Sequence, residues 1–192
     1  ADDDSGLQII DVSNPASPTL KGTFETLGRA DVVTLSADGK TAFVASRSSG
    51  LQIFDVSNPA SPTIKSTFDT SGKAFEIILS ADGKTAFVAD DDSGLQIIDV
   101  SNPSSPSLKG TFDTSGSAYG VTLSADGKTA FVADQYSNQG LQIINLTEPA
   151  QNGAHSVATS PTLTGTFDTS GDALDVTLSA DGKTAFVADD DS

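Results

Sequence analysis

Two runs of consecutive carboxylates stand out chemically. Asp90, Asp91 and Asp92 with Ser93, and the matching Asp189, Asp190 and Asp191 with Ser192, gather the hard oxygen donors that calcium prefers. Three successive Asp residues cannot all reach one ion from an extended chain. In a tight loop, two carboxylates and a carbonyl can. The spacing lacks the alternating acids of a helix–loop–helix calcium loop, so solvated loop charge stands beside the metal reading. Asp38, Asp82, Asp126 and Asp181 precede glycine between strand patterns and belong to turns.

Other chemistry is easier to exclude. The chain has no Cys, which removes disulfides, thiolate metal ligands and Cys nucleophiles. Its one His, His155, lies in a polar stretch and reads as solvated. No G-x-S-x-G, P-loop or dinucleotide fingerprint occurs. Paired carboxylates can hydrolyse glycosidic bonds. Here, however, the acids recur along the chain, whereas a catalytic pair should break the recurrence at one place.

What must position these residues is a repeat. SADGKTAFVA begins at Ser36, Ser80, Ser124 and Ser179, at spacings of 44, 44 and 55 residues, and GLQI begins at Gly6, Gly50, Gly94 and Gly140. A period near 44 indicates stacked structural units. Within one unit, GLQIIDV (94–100) is apolar on both faces and ends in a proline turn, as a covered strand does. SLKGTFDT (107–114) alternates, with Leu108, Gly110 and Phe112 on one face, as in a half-exposed outer strand. SGSAYGVTLSA (115–125) and KTAFVAD (128–134) flank Asp126-Gly127, a strong hairpin signal. No segment has a helical period. Four short antiparallel strands per unit predict an all-β propeller of four-stranded blades, four repeats in one domain spanning residues 1–192.

GLQIIDVSNP, a following Pro, GTF, TSG and SADGKTAFVAD together resemble the LVIVD-repeat proteins of bacteria and archaea, and the second half also resembles the YVTN type of propeller repeat. The resemblance implies a β-propeller, usually on secreted or surface proteins. It brings no catalytic residues. By analogy with propellers, the strand holding Tyr119–Leu123 is innermost and the one holding Leu108–Phe112 outermost. The chain then begins with an outer pair (7–12, 19–25) and ends with an inner pair (173–179, 183–188). These are two parts of one split blade. If the ring closes within one chain, 183–188 pairs with 7–12; otherwise those edges meet another copy, in a larger ring or an open array. Ala1–Ser5 duplicates Ala188–Ser192 letter for letter, as in a window cut from a longer tandem array. The missing initial Met and signal peptide fit a mature or excised piece.

The units differ at one end of the predicted blades. There lie the loops at 27–31, 46–49, 71–75, 90–93, 115–119, 134–139 and 170–174, while the other end carries the constant Asp-Gly and SNP turns. Arg29, Arg47 and Lys73 stand among acids there, with Phe75 and Tyr119 nearby, a set able to hold a sugar or peptide. Neutral drift of the loops, and packing of both rings between blades, are the alternatives. The fourth unit adds a polar insertion within 147–161.

Net charge is −16, with 23 Asp against 3 Glu, a surface that repels nucleic acid and anionic membranes. No apolar run is long enough to span a bilayer as a helix. The acid-rich, Cys-free composition suits a bacterial protein outside the cell, or simply keeps a repetitive β protein soluble. The expected function is a non-enzymatic scaffold, adhesion or assembly module of the cell surface, its partner a protein, a glycan or further copies of itself. A calcium-dependent glycan or small-ligand domain is the second alternative and a carboxylate hydrolase the third.

Overall fold

The computed structural model describes residues 6–136, 140–147 and 157–190. Among them run sixteen strands: β1 Leu7–Asp11, β2 Thr19–Phe24, β3 Val32–Leu35, β4 Thr41–Ala45, β5 Leu51–Asp55, β6 Thr63–Phe68, β7 Glu76–Leu79, β8 Thr85–Ala89, β9 Leu95–Asp99, β10 Ser107–Phe112, β11 Ser117–Leu123, β12 Thr129–Gln135, β13 Leu141–Thr147, β14 Val157–Phe167, β15 Asp172–Leu178 and β16 Ala185–Asp190. No helix is present among the described residues. Strands β3 to β6, β7 to β10 and β11 to β14 form three four-stranded antiparallel meanders. Two-stranded sheets, β1–β2 and β15–β16, stand at the two ends. The inner strands β3, β7, β11 and β15 lie side by side along the series, as expected of blades.

The hairpin β11–β12 shows how the sequence dictates its turn. Ser124 accepts from the Gly127 amide at 2.8 Å, and its hydroxyl donates to Asp126 at 2.7 Å. Asp126 also accepts the Lys128 amide, and the Ser124 hydroxyl the Thr129 amide. Only Gly127 takes a positive φ, +67°, so four residues form the loop rather than the two of an Asp-Gly turn. The serine contact holds the Asp126 carboxyl below the usual range.

The outer strands depart from simple alternation. In β9–β10 the register passes from Leu108↔Ile98 to Gly110↔Ile97, leaving Lys109 as a bulge, and the other outer pairs shift at the same place. One extra residue flips the alternation. Leu108 is therefore exposed, as are Leu20, Ile64 and Leu163, and does not share the face of Phe112. The bulged lysines reach the Asp of the neighbouring strand, as in Lys65–Asp55 at 2.8 Å and Lys21–Asp11 at 3.0 Å.

The core lies between sheets, not within one. Phe43 and Ile53 pack on Ile77, Ala86, Ile98 and Val100 of the next blade, and Phe87 and Ile97 on Val121, Ala130, Ile144 and Leu146 of the one after. The Phe repeated in KTAFVA, at Phe43, Phe87, Phe131 and Phe186, predicts a core position in every unit, and the structure corrects this for the last. Phe43 and Phe87 are 2% and 1% exposed, Phe131 is partly buried, and Phe186 is 59% exposed. Among the described residues no further sheet covers Phe186. The pairing of 183–188 with 7–12 that closure within one chain requires does not occur among the described residues, and no single sheet joins the two ends. Phe87→Ala should therefore cost about 3–5 kcal/mol in denaturant unfolding. Phe186→Ala in the isolated chain should stay within about 0.5 kcal/mol of wild type. Equal losses would contradict the placement of the core.

Candidate functional site

At the variable end, backbone bridges stitch the three complete blades to one another. Arg47 and Ala74 exchange two amide hydrogen bonds at 3.1 Å, and Asp91 and Ala118 exchange two at 3.1 and 3.0 Å. Arg47 and Asp91 occupy equivalent loop positions and adopt left-handed backbone, with φ of 42° and 52°. That conformation is uncommon for residues with a Cβ, and here the bridge to the neighbouring blade holds it.

The bridges bring together side chains distant in sequence. Asp31 accepts from Arg29 Nε at 2.9 Å and from Arg47 Nε at 2.7 Å. The Arg47 guanidinium lies 4.9 Å from the centre of the Phe75 ring, and Phe75 stacks on Tyr119 at 4.1 Å, nearly parallel. Lys73 donates to Asp91 at 2.8 Å, which raises the lysine pKa. Arg29, Arg47, Lys73, Phe75 and Tyr119 thus form one array across three units. Phe75 is buried beneath it, so its ring packs between blades and Tyr119 carries the aromatic surface. Burial raises the Tyr119 pKa. A cation–π contact of this kind stabilises by about 0.5–2 kcal/mol according to exposure.

The Asp triplet does not converge. Asp90 turns inward and is fully buried, accepting from the Thr70 hydroxyl and from the Gly72 amide at 3.1 Å. A Cβ on Gly72 would collide with the Asp90 carbonyl and carboxylate, which is why the TSG loop ends in glycine. Asp91 faces Lys73, and Asp92 accepts from the Ser117 hydroxyl at 2.9 Å. Three partners in three directions hold the side chains of Asp90, Asp91 and Asp92 apart. In the last unit Asp189 accepts from Thr169 at 2.9 Å, while Asp190 lies opposite Asp172 at the end of β15–β16; Asp191 is outside the described residues. Among the described residues no three acidic or imidazole groups gather as metal ligands.

Next to this array a polar hollow of about 500 Å3 is walled by Asp92, Asp113, Ser115, Ser117 and Tyr136, with Tyr136 exposed at its rim. A second of about 330 Å3 adjoins it and shares Asp92 and Asp113.

Sequence reasoning missed one acidic position. Val32, Glu76, Gly120 and Asp175 are equivalent on the four inner strands, and Glu76 accepts the Val121 amide of the next blade at 2.7 Å. Burial, reinforced by Asp175 and opposed by the Val121 bond, raises Glu76 to about 7. The signal was present in the sequence, because this position breaks the repeat in an otherwise constant strand.

The LVIVD repeat model matches residues 1–26, 28–70 and 71–114. The chain belongs to the LVIVD-repeat family. No curated protein matches it significantly. Among solved structures it is similar to a functionally unknown protein from Desulfotomaculum acetoxidans, with a TM-score of 0.74 at 18% identity, covering 98% of this chain and 57% of that one. It is also similar to a periplasmic gluconolactonase of Pseudomonas aeruginosa, with 0.69 at 20% identity over 85% and 48%. The β-propeller domain of Cps50 (Swd1) from Myceliophteria thermophila gives 0.65 at 16% identity over 88% and 55%. The LVIVD chain therefore spans about half the length of these structures, and at such identities they show its propeller-like fold.

The buried Asp90 gives this region a testable pH dependence. Burial, opposed by the Thr70 and Gly72 contacts, raises its pKa to about 7. A carboxyl raised above its unfolded value of about 3.9 favours folding only while protonated. Its contribution is complete below about pH 4 and is lost as pH rises toward 7. Asp90→Asn keeps an acceptor for Thr70 and cannot ionise. Its stability relative to wild type should climb between about pH 4 and 7 in denaturant titrations. A constant offset across that range would contradict the buried carboxyl.

Proposed function

We propose that this LVIVD-repeat chain is a non-enzymatic recognition and scaffold module of a bacterial cell surface or its surroundings, which holds a glycan or protein partner on its variable end. The observation that carries this is the continuous array Arg29–Asp31–Arg47–Phe75–Tyr119, built from residues that differ between units and fixed on rigid sheets. The adjoining hollow offers carboxylates and serine hydroxyls to hydroxyl-bearing groups and an exposed Tyr136 ring to a sugar face. Binding here is independent of calcium, since Asp90, Asp91 and Asp92 are each engaged by separate protein partners. Nucleic acid does not suit a surface of charge −16. No helix among the described residues is long and apolar enough to cross a membrane.

One observation favours a second role. Glu76, raised to about 7 and influenced by Asp175, is an acid pair on two inner strands, and the similar protein from Pseudomonas aeruginosa is a periplasmic gluconolactonase. A carboxyl of that pKa can exchange a proton near neutrality. In this alternative Glu76 is the proton-transferring group of a lactone or glycoside hydrolase.

Two measurements separate these roles. The triple variant Arg29→Ser, Arg47→Ser, Lys73→Ser should bind immobilised glycans and whole bacterial cells roughly tenfold more weakly or worse, with an unchanged far-UV spectrum and no difference between calcium and chelator. Undiminished binding by that variant would reject the loop face. Gluconolactone should hydrolyse at its uncatalysed rate in the presence of wild type. Turnover that Glu76→Gln abolishes would replace the binding role with the hydrolytic one.

A further inference from the structure

The charge of Arg47 is only partly balanced. Lys73 has Asp91 to itself, whereas Arg47 shares Asp31 with Arg29. Asp31 takes Arg47 through Nε, and the two terminal nitrogens of that guanidinium have no hydrogen-bond partner among the described residues. They are nevertheless held in place. The guanidinium lies 4.9 Å from the centre of the Phe75 ring, and the backbone bridge to Ala74 fixes the loop that carries it. The Arg47 side chain is 34% exposed, so a solute can reach it. A positioned guanidinium with its two end nitrogens unspent matches a carboxylate, which accepts from both at once.

From Arg47 the surface leads over Tyr119 to the polar hollow. Arg47 and Lys73 are close enough to the Tyr119 hydroxyl to oppose the rise that burial causes in its pKa, and Tyr136 and Asp91 close enough to reinforce it. Tyr119 therefore stands between the two cations and Tyr136, the ring at the rim of the hollow. Within the hollow the chemistry changes. No aliphatic or basic side chain lines it, and its volume of about 500 Å3 suits a small ligand. Asp92 accepts from the Ser117 hydroxyl and Asp113 from the Ser115 amide, each through one oxygen. The second oxygen of each carboxylate is left to accept from a ligand hydroxyl. A ligand carboxylate placed there would instead meet two like charges.

We propose that the ligand of this face is a glycan in which one uronate, a sugar bearing a carboxylate, is joined to a neutral sugar. The uronate carboxylate takes the end nitrogens of Arg47, and its ring lies over Tyr119, whose body offers apolar area. The neutral sugar enters the hollow and donates hydroxyls to Asp92 and Asp113. This inference rests on the reading of the loop face as a recognition surface and names the class of glycan that the face selects. A peptide acid would meet Arg47 equally well, but the hollow holds no apolar pocket for the side chain beside it. A polyuronate would bring a second charge to Asp92 and Asp113, on a protein whose net charge of −16 already repels polyanions. Attraction at Arg47 and repulsion in the hollow together set the selectivity.

NMR titrations of the whole chain at low ionic strength, with three disaccharides of one linkage, test this. Glucuronosyl-glucose should bind roughly tenfold or more tightly than glucosyl-glucose and than glucuronosyl-glucuronate. Arg47→Gln leaves the backbone bridge in place and should remove the advantage over the neutral sugar with an unchanged far-UV spectrum, while Arg47→Lys should keep part of it. Asp92→Asn combined with Asp113→Asn should raise affinity for the double acid, a gain that a merely structural role of those residues would not produce. Equal affinity for the acidic and neutral sugars would overturn the inference and leave the loop face as a recognition surface, which fails only if the triple serine variant binds cells and glycans undiminished. Absence of binding by all three sugars would overturn it too. So would an advantage that survives Arg47→Gln, a double acid bound as tightly as the single one by wild type, or tighter binding of a short peptide containing one glutamate.

Discussion

Each sheet of this chain has two apolar faces and can cover neither of them itself. The middle strands, such as β8 and β9, carry buried side chains on both sides, and only a neighbouring blade removes them from water. At about 25 cal/mol per Å2 of apolar surface, these seams supply most of what opposes chain entropy in a chain without cysteine and with no helix among its described residues. Blade order, the burial of Phe43 and Phe87, and the exposure of Phe186 all follow from whether a neighbour is present.

The same constraint sorts the polar residues. At the constant end, Asp126 and its equivalents spend their carboxylates on serine hydroxyls and backbone amides, which sets the hairpins and leaves little for a ligand. At the variable end, loops must cross from one blade to the next, and the bridges at Arg47–Ala74 and Asp91–Ala118 do so with backbone alone. Buried Asp90 still ties Thr70 and Gly72 there, whereas the side chains at Arg29, Arg47 and Lys73 differ between units without disturbing the seams. Arg29, Arg47 and Lys73 with their acidic partners occupy this end, whereas Lys21 and Lys65 pair with Asp11 and Asp55 at the other.

Much of this was legible in the sequence because it is written four times. The strands, the turns and the position of the variable loops follow from repetition and alternation, and the inner and outer order from the analogy with propellers. The bulge at Lys109 was not legible, because a single unpaired residue leaves no mark in the hydrophobic pattern yet turns Leu108 outward. The separate directions of the Asp triplet were not legible for a related reason. A left-handed Asp91 between two ordinary neighbours sends three consecutive carboxylates to Thr70, Lys73 and Ser117, and nothing in D-D-D announces that φ. Glu76 was overlooked because its significance appears only on comparing equivalent positions across the units. What meets the edges of β1 and β16 could not be read either, since the same strand sequences suit closure within one chain, a larger ring or an open array.

If the seams between blades hold the fold, protection must follow the number of neighbours a strand has. Strand-resolved hydrogen exchange, at a dilution where the chain is monomeric, tests this most directly. Amides of β8 and β9, covered on both faces, should exchange slowest and near the rate of global unfolding. Protection should fall toward β1–β2 at one end and β15–β16 at the other. End strands as protected as β8 and β9 under those conditions would contradict the account, because each sheet would then be stable without its neighbours.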